Sequence, residues 1–350
     1  MLTGILLLAM LAAGYGLSSV RATHSDPNVI HLCVSTYTSQ IRYVANPAQC
    51  TGGFVIDLNK QGAPGPAGPP GPPGSGASEP VILTTSRSGS GSFNVVKYLG
   101  PHQVATFPGA SFPEGIALDG LAAVYVADTA NNRVIKYGIN GDVENLFGGL
   151  GSDPGQMIEP RDVTVDASGN VYVVDAGNNR IQKFDRDGLF LLAWGSIGNG
   201  AGQFDFPTAV DIDASGNVYV VDTGNDRIQK FDSSGNFRLE WGSPGAGDGQ
   251  FNFPSDIAAD DSGNVYVADT DNSRIQKFDS VGNFLLAWES PNPGGWGPGA
   301  PAAVEADSQG DIYVSDVATE DGTLQQFDDT GNLIRQWDAA PASSIAILGP

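Results

Sequence analysis

The chain has 350 residues, enough for one large or two modest domains with a sizeable core. It carries 39 acidic against 17 basic residues, a formal net charge of −22, and only three of each precede Val81. A field of that sign repels phosphate, which argues against nucleic acid and anionic membrane surfaces as partners and favours cationic partners, divalent cations or plain solubility.

The first 22 residues hold an apolar run from Leu2 to about Leu17 and end in small residues, Val20-Arg21-Ala22. This reads as a secretory signal, with an uncleaved membrane anchor as the alternative because no Lys or Arg precedes the apolar run. Residues 23–61 form a small segment with alternating stretches such as Ile41-Arg42-Tyr43-Val44, two or three strands too few to bury much core. The chain's two cysteines, Cys33 and Cys50, fall there, and in an exported chain they read as one disulfide. Residues 62–80 are a linker whose glycines recur at 62, 65, 68, 71 and 74 with prolines between. Glycine at every third position is the collagen pattern, but so few triplets favour a stiff polyproline-II spacer over a trimerising helix. A cysteine-bearing segment before a Gly-Pro tract resembles modules of some bacterial exported proteins.

From residue 81 to the end a repeat takes over. "SGNVYVVDAGNNRIQKFD" at 168–185 returns almost unchanged at 215–232 and again at 262–279. The Asp closing each "VYVxD" run falls at 128, 175, 222, 269 and 316, and the Pro opening each unit at 113, 160, 207, 254 and 301, both at intervals of 47. Such a period points to a propeller or another repeat array. From Pro160 one unit parses as an inner strand "RDVTVD", a second "NVYVV", a third "RIQKF" and an outer strand "LFLLAW". The connectors "DASGN" and "DRDG" carry the Asp and Gly of tight hairpins. Four strands, two sharp hairpins and one wider link describe a propeller blade.

The pattern "FxxPxxVxVDxSGNVYVVDxxNxRIQKFDxxGxFxxxWG" resembles the NHL repeat over roughly residues 112–337, most closely in the second to fourth copies, and the fifth has lost its Asn and Arg. The resemblance implies an all-β, six-bladed propeller with four-stranded blades. Five units span about 112–157, 158–204, 205–251, 252–298 and 299–338. The remainders at the two ends, 81–111 and 339–350, read as three strands and one. They are expected to form a sixth blade, Ser344-Ile345-Ala346-Ile347 pairing with Val81-Ile82-Leu83 and covering edges that would otherwise recruit other chains.

The recurring polar residues read first as architecture. Asp128, Asn131 and Arg133, with Asp175, Asn178 and Arg180, Asp222, Asn225 and Arg227, and Asp269, Asn272 and Arg274, bracket the link between second and third strands. A carboxylate there can accept turn amides and pair with the arginine. Catalysis needs one special site rather than four alike. The residues that vary around the same links and before the inner strands, Arg161, Asp162, Asn179, Asp226, Asp256, Asp271 and Arg274, are expected to form a ligand face on a rigid scaffold. That gives an exported, non-catalytic propeller binding a protein or small ligand, without a cofactor. The alternative is a metal-dependent hydrolase or lyase resembling gluconolactonase, with a divalent cation at Glu114, Asp162 and Asp256 near the channel. The lyase that amidates peptides shares this type of fold but uses metal-binding histidines, and the repeat region has only His102, expected in a turn.

Overall fold

Each repeat meets the requirements of a twisted four-stranded sheet. In Val171–Asp175 every residue is buried, as in a strand covered on both faces. The pleat sends Val171 and Val173 toward Tyr125 and Val134 of the preceding repeat, while Tyr172 and Val174 pack on Val210, Val218 and Phe231 of the next. One strand thus contributes to two hydrophobic layers, and no sheet can complete its core alone.

The hairpins fold for local reasons. Asp166 Oδ1 accepts the amides of Ser168 and Asn170, both at 2.9 Å, and Asn170 Nδ2 donates to Asp166 Oδ2 at 2.7 Å. In the second hairpin Gly235 adopts φ +77°, and a Cβ there would lie 2.8 Å from the Trp194 ring of the preceding repeat. Glycine is needed both for the turn and for the indole that packs on it.

The computed structural model describes residues 29–35, 41–44, 53–59, 80–87, 93–99, 102–121, 123–290, 300–317, 322–339 and 341–348. Two compact units divide at Ser75/Gly76. In the first, strands Val29–Ser35, Ile41–Val44 and Gly53–Asn59 form an antiparallel sheet with Val29–Ser35 in the centre. Cys33 lies on that central strand, and Cys50, the leader and the Gly-Pro linker lie outside the described residues. No described helix is long and apolar enough to cross a membrane.

The second unit is a ring of six four-stranded antiparallel sheets, a six-bladed propeller. The inner strands of blades 1 to 5 are Pro113–Leu118, Pro160–Val165, Pro207–Ile212, Pro254–Ala259 and Pro301–Ala306. Blade 6 is built from both ends, as the remainders require. Ala342–Leu348 is its inner strand and pairs with Val81–Arg87, Ser344 opposite Thr85 and Ile347 opposite Ile82. Ile345 and Ile82 then pack against Tyr313 and Leu324 of blade 5, while Ala346 and Leu83 pack against Ile116 and Val124 of blade 1. His102 begins the exposed outer strand of this blade, His102–Phe107, rather than sitting in a turn.

Candidate functional site

The links that carry the repeated Asp, Asn and Arg lie on one face, beside the loops that lead into the inner strands. In blade 2 the fully buried Asp175 accepts from Arg180 Nε at 2.7 Å, from Asn178 Nδ2 at 2.9 Å and from the Ile158 amide at 2.7 Å. Arg180 passes its remaining donors to the carbonyls of Ser152, Asp153 and Gln156. Asp222 with Asn225 and Arg227, and Asp269 with Asn272 and Arg274, repeat the arrangement. Asp128 holds Asn131, Arg133 and the Ser111 amide. In blade 5, where Asn and Arg are missing, Asp316 accepts from the Ser290 hydroxyl and the Ala300 amide. Sequence reasoning missed one member of the network. Gln182, fully buried, donates to Asp175 Oδ2 and to Gln156 O, and Gln229 and Gln276 do the same in their blades.

Two residues expected on the ligand face serve blade-to-blade attachment. Asn179 and Asp226 close their links in the left-handed conformation, at φ 51° and 48°. Their side-chain oxygens accept the amides of Phe206 and Phe253 in the following blades, at 2.9 and 2.8 Å. Asp271 is exposed on the equivalent link of blade 4. The residues before the inner-strand prolines of blades 1 to 4 are themselves left-handed. Phe112, Glu159, Phe206 and Phe253 have φ between 47° and 54°. That conformation is costly for bulky side chains and persists only where the surroundings enforce it. It forms a collar from which Phe206 and Phe253 reach the channel mouth, and Phe112 and Phe253 are about half exposed.

The mouth is a cavity of about 200 Å³ lined by Glu114, Arg161, Asp162, Phe206, Thr208, Phe253, Ser255 and Asp256, among others. Arg161 donates to Glu114 at 2.9 Å and lies over the Phe206 ring at 4.5 Å. Below it a channel cavity of about 190 Å³ runs between all six inner strands, and Asp162 and Asp256 border both spaces. Two acids that sequence reasoning did not single out, Asp211 and Glu305, line this channel too. They occupy a position two residues later in their strands than Asp162 and Asp256 do in theirs. With a side-chain period of two, both positions point inward. Those blades have Ala209 and Ala303 at the earlier position.

Three of the four acids also lock adjacent blades. Asp162 accepts the Val210 amide at 2.8 Å, Asp211 the Ala259 amide at 2.7 Å and Asp256 the Val304 amide at 2.8 Å. Ser344 Oγ does the same for Ile116 between blades 6 and 1. Asp211 also accepts the Thr164 hydroxyl at 3.0 Å. Between blades 1 and 2 the equivalent position is Gly115, where a Cβ would lie 2.4 Å from Asp162 Cα.

Burial, opposed by the backbone amides, raises the Asp162 carboxyl to about 7 and that of Asp211 to about 6. Asp256 and Glu305 are pushed well above the ordinary range by burial first, then by the charge of Asp162 and Asp211 and, for Glu305, of Asp256. Among the described residues no lysine or arginine pairs with any of the four. Glu114 does not line the channel; it shares the mouth with Asp162 and Asp256 and is paired there with Arg161. No described group of three or more acids, histidines or cysteines is disposed to hold a metal ion.

The NHL repeat profile matches residues 158–184, 204–231 and 251–278, so blades 2, 3 and 4 carry NHL repeats. No curated protein matches the sequence significantly. Among solved structures, a protein of unknown function from Bacteroides caccae superposes with a TM-score of 0.60 at 13% identity, covering 77% of this chain and 99% of that one. A Lactobacillus plantarum protein gives 0.52 at 14%, again covering 77% and 99%. A streptogramin B lyase gives 0.50 at 17%, covering 65% and 68%. At such identities the likeness establishes the shared fold.

Proposed function

We propose that this chain is an exported binding propeller, a non-catalytic scaffold that engages a protein partner at the cell surface or outside the cell through the collar and mouth of its channel. One observation carries the reading. Phe206 and Phe253 are held in the left-handed conformation in the lining of a cavity that also contains Arg161. Aromatic and arginine side chains presented on rigid backbone are what protein interfaces use as anchors. The repeated Asp-Asn-Arg networks below them are saturated with hydrogen bonds and act as the frame. Export is supported by the apolar, small-residue-terminated leader, and the Gly-Pro tract would act as a spacer between propeller and anchor or partner.

The test is site-specific photo-cross-linking on native cells. A cross-linker at Asp271, on the collar face, should capture a defined partner, whereas one at Leu189, exposed on a hairpin of the opposite face, should not. Equal capture from both faces, or none from the collar, removes this reading.

A metal-dependent hydrolase or lyase is the second reading, favoured by four channel carboxylates that lack a counter-cation. The lyase named above indicates that such a ring can accommodate an enzyme, without extending that chemistry to this chain. Calcium or magnesium binding with one-to-one stoichiometry, lost in both Asp162→Asn and Asp256→Asn, would support it. Failure to bind either ion would leave the scaffold reading.

A further inference from the structure

We infer that the mouth accepts a basic side chain, an arginine in preference to a lysine, from the protein partner, seated over the face of Phe253 beside Asp256. The inference rests on the binding function proposed above and specifies the chemistry its partner must present.

The repeat supplies its own reference. Positions 47 residues apart are equivalent, so Phe253 stands where Phe206 stands one blade earlier, and Thr208 stands where Arg161 does. In the earlier pair the guanidinium of Arg161 covers the ring of Phe206 at 4.5 Å. In the later pair the covering residue is a threonine. Its hydroxyl is turned away to the Thr223 hydroxyl at 2.6 Å and the Ser255 carbonyl at 3.0 Å. No described cation lies over Phe253, whose side chain is half exposed in the same costly backbone conformation as Phe206. Among the described residues, Phe206 is thus a filled and Phe253 a vacant copy of an aromatic seat for a cation.

Charge complements the vacancy. Asp256 borders the mouth from below, 7% exposed, and Asp162, Asp211 and Glu305 stand deeper in the channel with no basic side chain among them. Arg161 does not cancel this field, since Glu114 already pairs with it. Burial first, and the neighbouring acids' charge second, raises the proton affinity of these acids, and a cation bound at the mouth would oppose both. The hydroxyl of Ser255, also on the mouth, adds a polar contact on the same side. A planar guanidinium suits the seat better than an ammonium because it can stack on the ring and still donate toward Asp256 at its edge.

The test uses the full chain and a blocked peptide, acetyl-Gly-Gly-Arg-Gly-Gly-amide, titrated by peptide-observed NMR against its citrulline counterpart, which keeps the shape and loses the charge. The arginine peptide should bind at least tenfold more tightly. Thr208→Arg should fill the seat from within, as Arg161 does for Phe206, and weaken binding about tenfold. Phe253→Ala should do the same without altering the inner strand, which keeps the test decisive if Thr208→Arg folds poorly. Leu189→Ala, exposed on a hairpin of the opposite face, should leave binding unchanged. Equal binding of the two peptides, no binding of either, or undiminished binding by Thr208→Arg and Phe253→Ala overturns the inference. If collar-specific cross-linking persists in any of those cases, the binding function survives and only the arginine seat is lost.

Discussion

Closure of the ring by its two ends makes Ile345 a sensitive probe. This residue is 3% exposed on the inner strand of blade 6, within a cluster that contains Ile82, Tyr98, Tyr313 and Leu324. Truncating a buried isoleucine to alanine costs about 2–5 kcal/mol, through lost transfer energy and the cavity left behind. The upper half of that range applies here, because residues from two blades and both ends of the propeller would have to move together to fill the gap. For a domain of this size each kcal/mol lowers the melting temperature by roughly 2 °C, so Ile345→Ala should melt about 7–10 °C early. The control is Ile334→Ala on the outer strand of blade 5, 52% exposed, expected within about 0.5 kcal/mol of the parent. Differential scanning fluorimetry of both variants decides the matter. Equal melting temperatures would mean that the last strand does not complete the ring, and the argument for a rigid six-sided mouth would fail with it.

Other expectations follow from the polar framework. Asp175→Ala removes the acceptor for Arg180, Asn178, Gln182 and the Ile158 amide, and should cost about 3–5 kcal/mol in denaturant unfolding, as expected when one partner of a buried pair is lost. Gly115→Ala drives a methyl group into the Asp162 backbone and should cost about 1–3 kcal/mol; an unchanged midpoint would show that blades 1 and 2 are not in such close contact. The channel acids set a pH trend. Asp162 and Asp211 bind protons more tightly folded, at about 7 and about 6, than an exposed aspartate near 4 does. Between those limits the folded state holds more protons than the unfolded one, so stability falls as pH rises from about 4 to about 7. Hairpin acids such as Asp232 and Asp328, drawn down to about 2 by Asn side chains and turn amides, act only below that window and in the opposite sense. Thermal melts at pH 5 and pH 8 should show the loss, and Asp162→Asn should reduce it; an unchanged slope would contradict the assignment.

The parts of this molecule legible in its sequence are those encoded locally. The spacing of 47 between equivalent prolines and aspartates announced the blades, and the unmatched strands at either end announced how the ring closes. The Asp-Asn-Arg motif could be read because its contacts span three to five residues. The channel acids could not be assembled in the same way. Asp162 and Asp256 appear at one offset from their prolines, Asp211 and Glu305 at another, and only the pleat of six strands around one axis makes the two offsets equivalent. Asn179 and Asp226 looked like variable surface because their partners, Phe206 and Phe253, lie 27 residues away in the next blade. Gln182 looked like an ordinary strand residue because its role depends on a loop 26 residues earlier. In each case the missing information was the packing of one repeat against its neighbour.

The strand Val81–Arg87 has a mechanical consequence. It is flanked on one side by Ala342–Leu348 and on the other by Phe93–Leu99, with Val81 opposite both Leu348 and Leu99. Antiparallel hydrogen bonds run perpendicular to their strands, so a load arriving through the preceding chain and directed along this strand strains two ladders sideways and all at once. They would have to yield together rather than unzip one bond at a time. A propeller pulled along this strand is therefore held by shear and not by peeling.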